Sequence, residues 1–297
     1  DTPIPQPFPN SIYNRGNEIS GGLFLEWGAV PKGREQSMAD TARVTWAVEK
    51  LKEQHDQPFF LGVGLYAPHY PNYCPQEFFD LYDRDAIKLP PVKADDLDDL
   101  PPKIKKIKTA RSRIPKRLEE LGAMKDAIHG YLACISYADA MLGRVLDALE
   151  ASPYAENTIV VMWSDHGYHL GEHNGIWQKR TLFEQGARAP LIVRAPDQAG
   201  NGTASPRVVE FVDLYPTLTG LAGIPAPKGL AGRSLEKLLQ DPIATWDGLA
   251  VTQVLRPADK RLAEPVMGCS IRTERWRYTE WANGEAGKEL YDHHADP

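Results

Sequence analysis

The chain has 297 residues, 42% hydrophobic and 25% charged, with mean hydropathy −0.42, which excludes fibrous and disordered classes and leaves material for a sizeable core. The 34 Lys and Arg against 40 Asp and Glu give net charge −6, so no global basic field argues for a nucleic-acid partner and any anion site must be local. No run of eighteen apolar residues offers a membrane span, and Asp1 to Pro7 has neither the charged nor the apolar part of a signal peptide, so the natural N-terminus is expected to be missing. Cys74, Cys134 and Cys269, without any Cys-x-x-Cys pair, form neither a disulfide framework nor a cysteine zinc site.

Residues 1–36, rich in Pro, Gly and Asn, read as an irregular arm. Ser37 followed by Asp40 is a capping-box-like start, and a helix is predicted to about Gln54 with Val44, Val48 and Leu51 inward. Gln57-Pro58 ends it, and the apolar run Phe59 to Tyr66 predicts a strand covered on both faces. That strand stops at Ala67-Pro68-His69-Tyr70-Pro71, which puts His69 just beyond a carboxyl end, where open α/β sheets hold ligands. Cys74 follows closely and is expected to be packed.

Residues 85–117 read as a long surface insertion: acidic Asp95 to Asp99 between proline pairs, then eight Lys or Arg from Lys103 to Arg117. A solvated loop is the plainer expectation, a basic rim for a polyanionic substrate the sharper one, and only the second makes KM salt-dependent. From about Ala123 to Ala151, Ile128, Leu132, Ile135, Ala138, Leu142, Val145 and Leu149 recur at steps of three and four, which predicts one long amphipathic helix with Cys134 in the core. Thr158 to Trp163 is a second buried strand and Leu191 to Arg194 a third, so the alternation predicts a largely parallel sheet. Helix signals at 213–222 and short strand runs near 249–254, 267–272 and 276–281 complete the chain.

Chemistry concentrates in Ser164 to Lys179, beginning where a buried strand ends. Asp165, His166, His169, Glu172 and His173 can serve a metal, and Lys179 can serve an anion held by it. Two metal readings compete. His169-Leu-Gly-Glu172-His173 fits the inverted zinc-peptidase pattern, which needs a helix, but Gly167, Gly171 and Gly175 fall every fourth residue and each costs about 1 kcal/mol in a helix interior. In the other reading Asp165 and His166 alone reach back to a metal at the strand tip.

The block from Ser164 to His173, then Ile176 to Lys179, Phe183-Glu184 and Arg188 to Val193, resembles the type I sulfatases of the alkaline phosphatase superfamily, closest to the iduronate-2-sulfatase-like branch. The segments at Ala67 to Pro71, Asp95 to Pro102, Tyr137 to Leu149, Arg272 to Tyr278 and Glu289 to Pro297 are similar to further pieces of that branch. The resemblance implies an α/β alkaline phosphatase-like sandwich with a mostly parallel central sheet and a small C-terminal α+β subdomain. It implies hydrolysis of a sulfate monoester, of a sugar or glycan, with one Ca²⁺ and a formylglycine nucleophile. By motif match Asp165 and His166 would be calcium ligands, His69 and Lys179 would be catalytic and contact the sulfate, and His173 would join them in binding substrate. Such roles are coherent, because a cation and a lysine neutralise ester oxygens and a histidine can protonate the leaving oxygen.

The departures are equally specific. No Cys-x-Pro-x-Arg motif occurs, and no aspartate pair follows a first apolar strand, so the nucleophile and half the metal shell are absent. The expectation is a C-terminal portion: 1–240 a partial catalytic domain, 241–297 a truncated small subdomain, with a separate N-terminal chain of the same protein as one source of the rest. The portion alone should be inactive. Two other classes stay open: a phosphoester or phosphonate hydrolase of the same superfamily, and a silent module binding sulfated glycans. The family implies a periplasmic, secreted or lysosomal location, and neither nucleic acid nor membrane is expected as a partner.

Overall fold

A computed structural model of the chain describes residues 26–93, 95–108, 113–256 and 264–295, with the side chains of 106–108, 113 and 117 left aside. The arm over residues 1–25 lies outside the described residues, as do parts of the basic stretch. Two compact units are present, one from residues up to Pro91 with Ser112–Glu156, the other from Val92–Arg111 with Asn157 onward.

In the first unit the predicted arm already contains a strand, β1 (Trp27–Val30), which pairs in parallel with β2 (Asn72–Pro75), Trp27 opposite Asn72 and Val30 opposite Pro75. Helix α1 (Ala39–Lys52) packs against the long helix α2 (Met124–Glu150), and Thr41 Oγ1 meets Tyr137 OH at 2.9 Å. Val30, Val44, Tyr73, Cys74, Ala133, Cys134 and Tyr137 form the core. The buried stripe of α2 keeps Ile128, Cys134 and Leu149 as expected, but Gly130, Ala133 and Tyr137 also face inward, while Ile135 is exposed. Close approach fixes the position of Gly130, since a Cβ there would stand 2.5 Å from the Trp27 Cβ.

The expected capping box does not form. Met38 is the N-cap of α1, Ser37 Oγ donates to the Arg34 carbonyl, and Asp40 turns inward to accept from the Tyr66 and Ala67 amides at 2.9 Å. Phe59 to Tyr66 is likewise no strand: it has no ladder partner among the described residues. Val63 and Leu65 pack on the core, while Phe60 is 89% exposed, so one face is covered rather than two. Cys74 and Cys134 are packed as expected, and burial, with Cys74 as neighbour, pushes the Cys134 thiol up.

The second unit contains β3 (Val160–Trp163), the hairpin of β4 (His169–Leu170) and β5 (Trp177–Gln178), the short helix α3 (Glu184–Ala187) and β6 (Leu191–Arg194). Strands β3 and β6 pair antiparallel, Val160 opposite Arg194. The expected mostly parallel central sheet is therefore not what these strands build. The link from β3 to β6 carries the β4–β5 hairpin and one short helix instead of a crossover helix, and such a return makes antiparallel neighbours. Strands β7 (Ala250–Arg256), β8 (Val266–Arg272), β9 (Trp276–Trp281) and β10 (Gly287–Asp292) form an antiparallel sheet in the order β10-β9-β8-β7; the first three lie near the strand runs predicted, and β10 is a strand the sequence did not announce. The helix signal at 213–222 is met by Leu214–Leu221.

The expected solvated loop at 85–117 contains helices Pro102–Lys108 and Arg113–Glu120. Ile104 anchors the first, fully buried with Leu182 and Trp281. Among the described residues no helix is long and apolar enough to cross a membrane.

Candidate active site

Strand β3 ends at Trp163, and Asp165 and His166 follow at its tip. Asp165 is 79% exposed, with Oδ2 3.2 Å from His166 Nε2. His166 Nδ1 lies 2.8 Å from the Gly167 carbonyl oxygen, a contact that places the proton on Nδ1, while buried Nε2 has no hydrogen-bond partner. A carboxylate beside an imidazole nitrogen with a free lone pair is a competent pair of metal donors. Among the described residues no group of three or more His, Cys, Asp and Glu is arranged to hold an ion.

Gly167 docks this loop. A Cβ there would lie 2.1 Å from the Gln185 carbonyl oxygen, and its amide donates to the Gly186 carbonyl at 3.2 Å. The other two histidines of the block are engaged internally. His169 is fully buried in β4 with Nε2 2.7 Å from Thr181 Oγ1, and Glu172 lies 3.7 Å from its Nδ1. Burial pushes the Glu172 carboxyl upward, but His169 and the backbone amides of Glu172 and Leu170 outweigh it and hold it below the ordinary carboxylate range. His173, at φ 51°, places Nδ1 2.8 Å from Asp96 and Nε2 2.9 Å from Gln185 Oε1, and its ring stacks on Phe183 at 4.0 Å. With His169 on a strand and His173 in a left-handed turn, the helix the zinc-peptidase reading needs is not formed.

Lys179 follows β5 directly, half-buried, between Gln178 at φ 72° and Arg180 at φ 69°. Two consecutive-but-one side chains held in the left-handed region mark a backbone over-determined by its surroundings, a feature that concentrates at working sites.

His69, in the first unit, sits exposed on the loop after Ala67-Pro68. Its Nδ1 is 2.6 Å from the Tyr70 carbonyl oxygen, the Tyr66 ring lies against it at 4.8 Å, and Tyr66 OH donates to the same carbonyl. The Asp40 carboxylate braces the start of this loop. A groove of about 750 Å³ in the same unit is lined by Ala42, Arg43, Trp46 and Gly62 to Tyr66. Among the described residues its lining holds no carboxylate or imidazole, and Arg43 is paired to Asp40 at 2.8 Å.

Sequence reasoning passed over Glu184, whose carboxylate meets Arg277, Arg272 at 3.2 Å and His293 at 3.9 Å. Burial raises its affinity for a proton, but Arg277 and then Arg272 outweigh this, leaving it below the ordinary range. The only signal was its place beside Phe183 in the motif. Of the partners of His173, Asp96 stood out only as part of the acidic 95–99 stretch, with nothing to join it to His173, and Gln185 had no local signal.

The sequence profile of the family described as Sulfatase matches residues 6–224, and the one described as N-sulphoglucosamine sulphohydrolase, C-terminal, matches 171–297. A sulfatase of Formosa agariphila is 38% identical over 279 residues, 93% of this chain and 52% of that protein. Iduronate 2-sulfatase of Mus musculus is 31% identical over 324 residues, 88% of this chain and 58% of that protein. The solved phosphonate monoester hydrolase of Silicibacter pomeroyi superposes on 99% of this chain and 59% of its own with a TM-score of 0.77 at 22% identity, a likeness of fold. The chain thus spans about half the length of the curated relatives it matches.

Proposed function

We propose, from the premise that this chain belongs to the sulfatase family and shares its alkaline phosphatase-like fold, that it is part of a sulfuric ester hydrolase acting on a sulfate monoester of a sugar or glycan. The observation that carries the reading is the Asp165–His166 pair at the tip of β3, where His166 Nε2 is left without a hydrogen bond beside a carboxylate. These two residues would hold a divalent cation, Ca²⁺ by family, whose charge would neutralise ester oxygens when bound. Calcium takes about six to eight donors, so other ligands must complete the shell.

Lys179 is assigned to the sulfate, where its ammonium offsets charge developing on the ester oxygens. His69 is assigned to the leaving oxygen: with Nδ1–H on the Tyr70 carbonyl, Nε2 is the nitrogen left to face it, and only the imidazolium form carries a proton there to give; its share in the reaction rests on the Pro-His-Tyr-Pro motif. His173 enters on the substrate side as well; with Asp96 and Gln185 on its two nitrogens, it reaches substrate only where Gln185 yields its place. No Cys-x-Pro-x-Arg motif occurs in the 297 residues, so the formylglycine nucleophile is placed outside them. The division at 240 and 241 and an extracytoplasmic location belong to the same proposal.

The test is turnover of an aryl sulfate against the matching aryl phosphate by protein from its native source, with mass spectrometry for formylglycine. Preferred sulfate cleavage and a Cys-to-formylglycine mass change support the reading. Preferred phosphate cleavage moves the protein to the phosphoester hydrolases, and catalytic silence with salt-sensitive heparin retention makes it a glycan-binding module.

A further inference from the structure

Strand β9 turns Arg277, Thr279 and Trp281 inward, and Arg277 is only 3% exposed. A guanidinium in an inward register position is costly unless its N–H groups are matched; here both Nη groups are matched and the buried Nε is not, so the Nη partners show what the residue is there to hold. Nη1 donates to the Leu182 carbonyl at 3.1 Å and to Ser270 Oγ at 3.2 Å, while Nη2 donates to Glu184. Arg272 on β8 grips the same carboxylate through Nε at 3.2 Å. Two arginines of the C-terminal sheet therefore converge on residues 182–184.

That short segment is where the candidate loops meet. Gly186, two residues on, accepts the Gly167 amide, and the Gln185 side chain meets His173 Nε2 at 2.9 Å. Thr181, one residue before Leu182 and two after Lys179, meets His169 Nε2 at 2.7 Å. Gly186 also packs so tightly that a Cβ would lie 2.3 Å from Thr181 Oγ1. We propose that Arg277 is a positioning residue: from β9 it clamps the 182–184 turn, and through that turn it sets the placement of Asp165–Gly167, His173 and Lys179. The proposal rests on the reading of these residues as a sulfatase site. Arginine suits the task because its planar fork satisfies a carbonyl and a carboxylate together, which the single ammonium of lysine does not.

The test compares native full-length protein, with its metal, against Arg277→Met and Arg277→Lys, the second keeping the charge should the first fail to fold. Hydrogen exchange is read by peptide, and aryl sulfate kinetics are measured well below the Tm of each variant. The clamp is supported if amides over 164–187 exchange about tenfold faster while the β7–β8 ladder keeps its protection, with kcat/KM lowered about 10- to 100-fold and only partly restored in Arg277→Lys. It is overturned if exchange over 164–187 matches wild type, or if the variants lose Tm but keep kcat and KM. Should wild type cleave no aryl sulfate, the functional reading falls, and the exchange comparison still decides whether Arg277 holds the loops.

Discussion

Gly167 occupies a place that no side chain can share. An added Cβ would stand 2.1 Å from the Gln185 carbonyl oxygen and 2.4 Å from that of Arg188, both backbone atoms that cannot swing aside. Gly167→Ala must therefore part the 164–167 loop from the 185–188 turn. Overpacking of this kind costs about 1–3 kcal/mol. The bond from the Gly167 amide to the Gly186 carbonyl, 3.2 Å long, contributes about 1 kcal/mol more. Alanine recovers about 0.4–1 kcal/mol through the stiffer unfolded chain. A net loss of about 1–3.5 kcal/mol follows, with Tm lowered by about 2–14 °C. The displaced loop carries Asp165 and His166, so affinity for Ca²⁺ should fall in the same variant. Urea denaturation and calorimetric Ca²⁺ titration of wild type and variant measure both. A Gly167→Ala protein within about 0.5 kcal/mol of wild-type stability and with unchanged calcium affinity would show that the two loops are not held together at Gly167.

Three other outcomes are expected. Asp165→Ala and His166→Ala should each weaken divalent-cation binding at least about tenfold in titration, and equal affinity in both would remove them from the metal site. Asp40→Ala leaves the Tyr66 and Ala67 amides unsatisfied beside the His69 loop, so it should cost about 2–4 kcal/mol in denaturant, whereas a near-neutral result would show water replacing the carboxylate. Glu184 has a depressed pKa in the folded state, so its stabilisation is present above the unfolded carboxylate value of about 4.3 and is lost as pH falls through the lower folded value. Glu184→Gln should cost about 2–3 kcal/mol at neutral pH and flatten the loss of stability on acidification, and parallel stability–pH curves would contradict this.

Much of the candidate site was legible because its residues are contiguous in the chain. Asp165, His166 and Lys179 stand in one block after an apolar strand, and the structure does set Asp165 and His166 together at the tip of β3. His173 was legible as a polar residue of that block, but its partners were not, since Asp96 lies far away in sequence and arrives through a turn packed by Leu97 and Leu100. Asp40 shows how a local rule loses to a distant one. Its spacing from Ser37 suits a capping box, yet two amides of the 66–67 loop offer its carboxylate better partners in a buried place. Ile135 shows the same for periodicity: its spacing suits the inward stripe, yet it is exposed, while Gly130 faces inward against β1.

Legible in the chain alone were the helices near 39–52 and 124–150, three of the four strands of the C-terminal sheet, and the motif block of the sulfatase family, all properties of residues close together in the chain. Only the tertiary structure decided that Phe59 to Tyr66 stays unpaired among the described residues, that β3 and β6 run antiparallel, and that Glu184, Arg272 and Arg277 converge beneath the loops of the block. The physical reason is that periodicity reports which side of an element is apolar, whereas strand pairing, close approach and the burial of a charge depend on what another part of the chain brings to that side.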